Sequence, residues 1–306
     1  MAPEEMDALA TPEHRRALYR DNVPYVFGAT AALYYAYWGE CFHFALFEAG
    51  DDPAEFEAAL ARTHERYFAA INGRDATRIL ELATGGGAFA EWMARRAPGE
   101  VVGVDMSDVQ LARAHARAVR SGLANLRFVE HDIMRIDELN EPPFDAAVCL
   151  DAACYLPDKL RALRAVATRL RPGARLLLVD WCRSEHSSGL QDELVLEPFY
   201  RRWGIPEMER VSRYELAFRS AGFRLLRSED LSSRARPNWE RAYRLALAAL
   251  AQPPTPAQLV SIAPSTVRYG SRAVQLAKEQ FNAVLLAKAA ADAGIVRYVE
   301  FVAERE

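Results

Sequence analysis

The chain of 306 residues predicts an α/β fold built on a mostly parallel sheet. Three observations carry that prediction. Arg78–Met93 reads as strand, glycine turn and helix: Ile79, Leu80 and Leu82 form a short apolar run, Gly85, Gly86 and Gly87 follow, and Phe89, Trp92 and Met93 recur at helical spacing. Val101–Asp105 reads as a second strand ending in an acid. Leu126–Asp132 reads as a third, again ending in an acid.

Each element has a chemical consequence. Without a Cβ the turn bends sharply and its amides approach a ligand closely. The helix behind it presents free N–H groups to a polar or anionic ligand. Asp105 lies 18 residues past Gly87, close to the ~20-residue spacing that sets a carboxylate on a ribose hydroxyl. The turn lacks a full G-x-G-x-x-G, which argues against a nicotinamide dinucleotide, because no pyrophosphate is cradled.

These residues resemble the class I S-adenosylmethionine (SAM) methyltransferases, whose first strand ends in an acid followed by a G-x-G-x-G-like turn. Here Glu81 is followed by Ala83, Thr84, Gly85 and Gly87, with Ala83 in the first glycine place. The resemblance implies a Rossmann-like seven-stranded sheet of order 3-2-1-4-5-7-6 with the last strand antiparallel. It implies SAM as cofactor and S-adenosylhomocysteine as product. Asp105 and Met106 join the cofactor-binding set. Asp132 and Ile133 would take the adenine amino group and pack on the ring.

Composition bounds the partners. Hydrophobic residues make up 51% and charged residues 26%, enough for a full core. The net charge is −4 with both signs mixed throughout, and no basic stripe marks a nucleic-acid partner. Cys41, Cys149, Cys154 and Cys182 form no C-x-x-C pair, so they read as reduced thiols, with no metal site expected. The N-terminus lacks an apolar signal region and no run approaches the ~18 apolar residues of a membrane span. The expectation is a cytoplasmic protein with a small-molecule acceptor; a homodimer is compatible with this.

Residues 23–50 are crowded with rings: Tyr25, Phe27, Tyr34, Tyr35, Tyr37, Trp38, Phe42, Phe44 and Phe47. Such density suits a flap packed on the core or a lid that excludes water and positions substrate. The segment is similar to the start of small-molecule methyltransferases of the sarcosine/dimethylglycine, tocopherol and sugar O-methyltransferase groups. Tyr34, Trp38, Gly39 and His43 match their spacing, while Phe27 stands where those groups have a tyrosine. The resemblance implies a cover over the methionine end of SAM (Tyr34) and a wall of the substrate pocket (Trp38).

Further along, Pro53–Ile71 reads as a helix, Val109–Arg120 as another capped by Ser107 or Asp108, and Phe144–Leu150 as the fourth strand. After it, Leu150, Asp151 and Tyr155 align with a family motif at the meeting point of donor and acceptor, with Leu150 on the cofactor side and Tyr155 on the substrate side. Asp151 is either a base or a strand-end structural acid. Leu160–Leu170 is a helix, Arg171-Pro172-Gly173 a tight turn and Ala174–Val179 the fifth strand. Trp181 and His186 follow that strand's carboxyl end, where ligands bind in open α/β sheets. Trp181 is a candidate substrate contact and His186 a candidate base, although a solvated loop histidine is the plainer reading. Gly189–Trp203 and Pro206–Ala221 read as helices, Gly222–Leu226 as the sixth strand, Trp239–Leu250, Leu259–Ala263 and Val267–Ala291 as a helical cap, and Ile295–Ala303 as the last strand.

The expected organisation is a lid over 1–72, a SAM-binding core over 73–229, a cap over 230–293 and the final core strand over 294–306. The expected activity is methyl transfer from SAM to O or N of a small biosynthetic acceptor, with His43, Asp151 and His186 as candidate catalytic groups. One alternative is C-methylation of an isoprenoid diphosphate held by Arg201, Arg202, Arg210 and Arg213. Another is a SAM-binding module or a cyclase without methyl transfer.

Overall fold

The computed structural model describes residues 12–306 apart from 253–254, 257, 259–262 and 264–266. Seven strands form one sheet in the order β3-β2-β1-β4-β5-β7-β6. They are β1 (Arg78–Leu82), β2 (Glu100–Asp105), β3 (Leu126–Glu130), β4 (Phe144–Leu150), β5 (Leu170–Arg183), β6 (Phe223–Asp230) and β7 (Val296–Arg305). Neighbours from β3 to β5 run parallel. Only β7 is antiparallel, to β5 and β6. The Rossmann-like sheet, its order and its reversed last strand are those expected.

Parallel strands need crossovers, and the helices supply them. They are α1 (Pro12–Ala17), α2 (Val23–Tyr37), α3 (Phe56–Ala70), α4 (Ala88–Ala94), α5 (Asp108–Ser121), α6 (Lys159–Arg169), α7 (Glu197–Trp203), α8 (Val211–Ser220), α9 (Ser232–Ala251) and α10 (Ser271–Asp292). The central strands are buried on both faces, as crossover packing demands: Ile79, Leu80, Val101, Val102, Ala146, Ala147 and Val148 are fully enclosed.

Register fixes where the strands end. Leu82 pairs with Val104 on one side and Cys149 on the other. Ala83, Asp105 and Leu150 therefore emerge at one level, at the carboxyl edge of the sheet. α10 packs against α9, α7 and α2 above that edge.

Several elements differ from the sequence reading. Much of the aromatic segment is a helix, α2, packed against the core and α10; its rings recur around the helix, which hides the period. β5 begins at Leu170 and includes the Arg171-Pro172-Gly173 turn; Leu170 pairs with Phe144, and the register shifts before Arg175 pairs with Ala146. β6 runs on to Asp230 because β7 pairs with it along that length. α9 starts at Ser232 and carries Pro237 within it. The helix expected at Leu259–Ala263 falls largely outside the described residues.

Candidate active site

The glycine turn is held by the acids around it. Asp105 accepts from the Gly85 N–H at 2.8 Å and from the Ser107 N–H at 2.9 Å. One carboxylate thus ties the turn to the start of α5. Burial pushes its pKa up, and the amide bonds oppose that shift. Glu81, 5% exposed, accepts from the Thr84 hydroxyl. Burial raises its pKa to about 8, with the Thr84 bond acting the other way. Ala83 has φ +52°, which explains the glycine common at this place. Gly87 is required: a Cβ would come within 2.3 Å of the Phe128 ring.

Loop 38–47 lies against this turn and is riveted down residue by residue. Glu40 pairs with Arg113 at 2.6 Å and with Arg117. Arg117 also donates to the Gly86 carbonyl at 2.8 Å. The Phe44 N–H donates to Asp151 at 3.1 Å and the Leu46 N–H to Thr63 at 2.7 Å. Fully buried Asn238 takes the Ala45 N–H at 3.0 Å and donates to the Ala45 carbonyl at 2.7 Å. A buried loop must satisfy its backbone in this way.

Two cavities of about 140 Å³ each open from this arrangement. The first runs along the turn and is lined by Glu81, Ala83, Thr84, Gly85, Asp105, Met106, Ile133 and Leu150, with His43 and Cys41 from the loop. The second lies under the cap. Its walls include Tyr34, Trp38, Phe44, Trp181, Trp203, Trp239 and Phe281, and among the described residues no Lys, Arg or His lines it. The cavities share Phe27, Phe42, Asp151 and Tyr155. Phe27 meets Tyr155 edge-on at 5.1 Å.

Asp151 sits at this junction with φ +51°. It accepts from the Phe44 N–H and, at 3.2 Å, from the Trp181 indole. Burial raises its pKa to about 7. A carboxyl so placed can hold a proton or accept one near neutrality.

The structure separates the candidate bases. His43 is buried; burial lowers its pKa to about 4, which makes it a weak base. Its Nδ1 lies 3.3 Å from the Phe44 carbonyl, and its Nε2 lies 3.0 Å from Nε2 of His64. Cys41, His43 and His64 bring their ligand atoms within 4.8 Å of one another. This set could take a borderline metal, although bonding between neutral rings accounts for the contacts. His186 is exposed and lines neither cavity. This corrects the reading of it as a base: β5 continues past Trp181 to Arg183 beside β7, and carries the following loop beyond the site.

Tyr34 lines the second cavity and accepts from the Trp203 indole at 2.8 Å; it was expected on the cofactor side. Asp132 lines neither cavity. Its carboxylate caps the turn after β3 through the Met134 N–H and accepts from Tyr19. The arginines expected to hold a diphosphate, Arg201, Arg202, Arg210 and Arg213, line neither cavity; Arg201 pairs with Glu197, Arg202 donates to the Pro198 carbonyl, and Arg210 donates to the Ser184 carbonyl. Sequence reasoning missed Tyr19, Cys41 and His64 beside the first cavity. It also missed Trp203, Trp239, Gln280 and Phe281 around the second. All but Cys41, which sits on loop 38–47, arrive on helical segments whose facing depends on packing, and no local signal marks them.

A sheet of this order with a reversed last strand, and a glycine turn flanked by strand-end acids, define the Rossmann-like methyltransferase class. Residues 79–173 match a family model described as a methyltransferase domain, Methyltransf_25. It is 31% identical over 236 residues to the sterol 24-C-methyltransferase erg6 of Aspergillus fumigatus, covering 76% of this chain and 61% of that one. It is 28% identical to the 27-O-demethylrifamycin SV methyltransferase of Amycolatopsis mediterranei, covering 71% of this chain and 78% of that one. The chain spans about 60% of the length of the sterol methyltransferases it matches. Among solved structures, the [4+2]-cyclase SpnF superposes with a TM-score of 0.71 at 23% identity, covering 92% of this chain and 94% of that one. Among the described residues, no helix is long and apolar enough to cross a membrane.

Proposed function

We propose that the protein is a SAM-dependent methyltransferase acting on an apolar, uncharged small molecule. The observation that carries this reading is the meeting of the two cavities at Phe27, Phe42, Asp151 and Tyr155. SAM lies along the glycine turn with its sulfonium toward this junction, and the acceptor enters from the aromatic side. Methyl transfer is an in-line displacement on an already activated sulfur. The protein's task is alignment and exclusion of water, and loop 38–47 with the cap serves both.

The walls favour carbon as the acceptor atom. Methylating an alkene leaves a carbocation, and aromatic faces stabilise a desolvated cation. Asp151 then takes the proton lost from the adjacent carbon. The sterol C-methyltransferase relatives agree with this reading. Transfer to a hydroxyl is the second reading, favoured by the pKa of Asp151, which suits deprotonation near neutral pH. A diphosphate acceptor loses support, since among the described residues no basic side chain lines the second cavity.

The test is incubation with methyl-labelled SAM and paired acceptors, alkenes and alcohols of the same skeleton, with the product read by mass and NMR. Label on carbon supports the first reading and label on oxygen the second. SAM binding without label transfer to any acceptor would overturn both. Asp151→Asn is expected to lower turnover at least ~100-fold while SAM affinity, read by calorimetry, stays within threefold. Unchanged turnover would remove Asp151 from the chemistry.

A further inference from the structure

The second cavity contains a polar group that the protein leaves unpaired. Gln280, on α10, lines the cavity and is 3% exposed. Among the described residues, neither its Nε2 nor its Oε1 has a hydrogen-bond partner. Trp38, across the cap on the segment after α2, lines the same cavity, and its buried indole N–H is also unpaired. The large majority of buried polar groups in folded proteins are paired, and an orphan that faces a cavity calls for an explanation. Packing does not provide one. The helix around Gln280 presents Phe281 and Val284 to the cavity and buries Ala283, Ala287 and Ala290, so a leucine would fill the position without leaving an amide unpaired.

We propose that Gln280, assisted by the Trp38 indole, is the polar anchor of the acceptor site and takes a neutral oxygen function, a hydroxyl or a carbonyl, on an otherwise apolar acceptor. This rests on the reading of the second cavity as the acceptor site. A carboxamide donates through Nε2 and accepts through Oε1, so it can satisfy both sides of a hydroxyl, or the lone pairs of a carbonyl. The indole adds one donor. A carboxylate or phosphate does not fit, because among the described residues no cationic side chain lines the cavity and Asp151 does. An ammonium group would be drawn to Asp151 instead. A site with an unpaired buried partner also rejects molecules that lack the matching group, since they leave that partner desolvated and unmet. Gln280 therefore sets which way round the acceptor lies, with its oxygen under the cap and its reacting atom toward the junction at Asp151.

Four of the five tryptophans line this cavity, Trp38, Trp181, Trp203 and Trp239, so binding is read directly by fluorescence quenching without turnover. The probes are geraniol, its deoxy hydrocarbon 2,6-dimethylocta-2,6-diene, and geranylacetone. The wild-type chain is expected to bind the alcohol or the ketone at least about tenfold more tightly than the hydrocarbon, one hydrogen bond to a buried group. In Gln280→Leu that preference disappears: the oxygenated probes weaken about tenfold and the hydrocarbon binds as well or better. Gln280→Met serves as the second variant. Ligand-free Leu and Met variants are expected to melt at or above the wild-type temperature, because an unpaired amide has gone. Binding of all three probes with no preference, or equal weakening of all three in the variants, would overturn the anchor and leave the acceptor cavity standing. Failure of every probe to quench, while SAM binds normally by calorimetry, would instead remove the acceptor-cavity reading and the anchor with it.

Discussion

The Tyr19 hydroxyl donates to the Asp132 carboxylate across 2.5 Å. The wide helical turn that follows α1 is thereby bound to the residue just past β3. Tyr19 lines the first cavity, and so do Val23 and Pro24 of α2. This N-terminal stretch forms one wall of the first cavity, and its hydroxyl occupies the carboxylate that the family resemblance assigned to the adenine amino group.

Tyr19→Phe keeps the ring and removes that competition. SAM is expected to associate severalfold faster, measured by stopped-flow quenching, with turnover unchanged. Weaker SAM binding would show instead that the hydroxyl contacts the ligand.

Asp105 has two tasks, since it holds the Gly85 and Ser107 amides and faces the first cavity. Asp105→Ala is expected to weaken SAM binding at least ~10-fold, because a hydrogen bond to a buried charged acceptor is lost. Calorimetry decides this, and unchanged affinity would remove the cofactor assignment.

Asn238 ties α9 to loop 38–47 through both backbone groups of Ala45, and also donates to the Ala235 carbonyl at 2.8 Å. Asn238→Ala leaves buried amide and carbonyl groups unmet, at a cost of about 2–3 kcal/mol. Urea denaturation should report that loss. Turnover should fall further than stability explains, because the same loop carries the Phe44 amide to Asp151.

Glu81 gives a signature in pH. Burial raises its folded pKa to about 8, above its unfolded value. Its contribution to stability is therefore complete below that unfolded value, about 4.3, and is lost as pH rises through about 8. The ligand-free wild type should lose stability across that window, and Glu81→Gln should flatten the profile. Parallel profiles for the two proteins would show that the carboxyl is ionised in the fold.

Much of the architecture was legible along the chain. Short apolar runs at Ile79–Leu82, Val101–Val104 and Phe144–Leu150 have the length of buried strands, and a glycine turn followed by a helical period has few alternatives. Local pattern therefore set the core and the cofactor edge, where neighbouring residues in sequence are neighbours in space. It also flagged the aromatic segment without its form, because rings around the whole of α2 leave no apolar stripe to read.

What the sequence determined by itself is the α/β sheet, the glycine turn and the acids Glu81 and Asp105 that line the first cavity. Tertiary structure alone decided the second cavity and the surroundings of the first. It moved Tyr34 and Trp203 into one wall, turned Asp132 toward Tyr19, sent His186 into solvent and brought Gln280 to the cavity of Trp38. These residues lie far apart along the chain, and contacts of that kind depend on how helices roll and pack, which no local period encodes. Burial then set the chemistry. It lowered the pKa of His43 and raised that of Asp151, so that the carboxylate is the group at the junction able to exchange a proton near neutral pH.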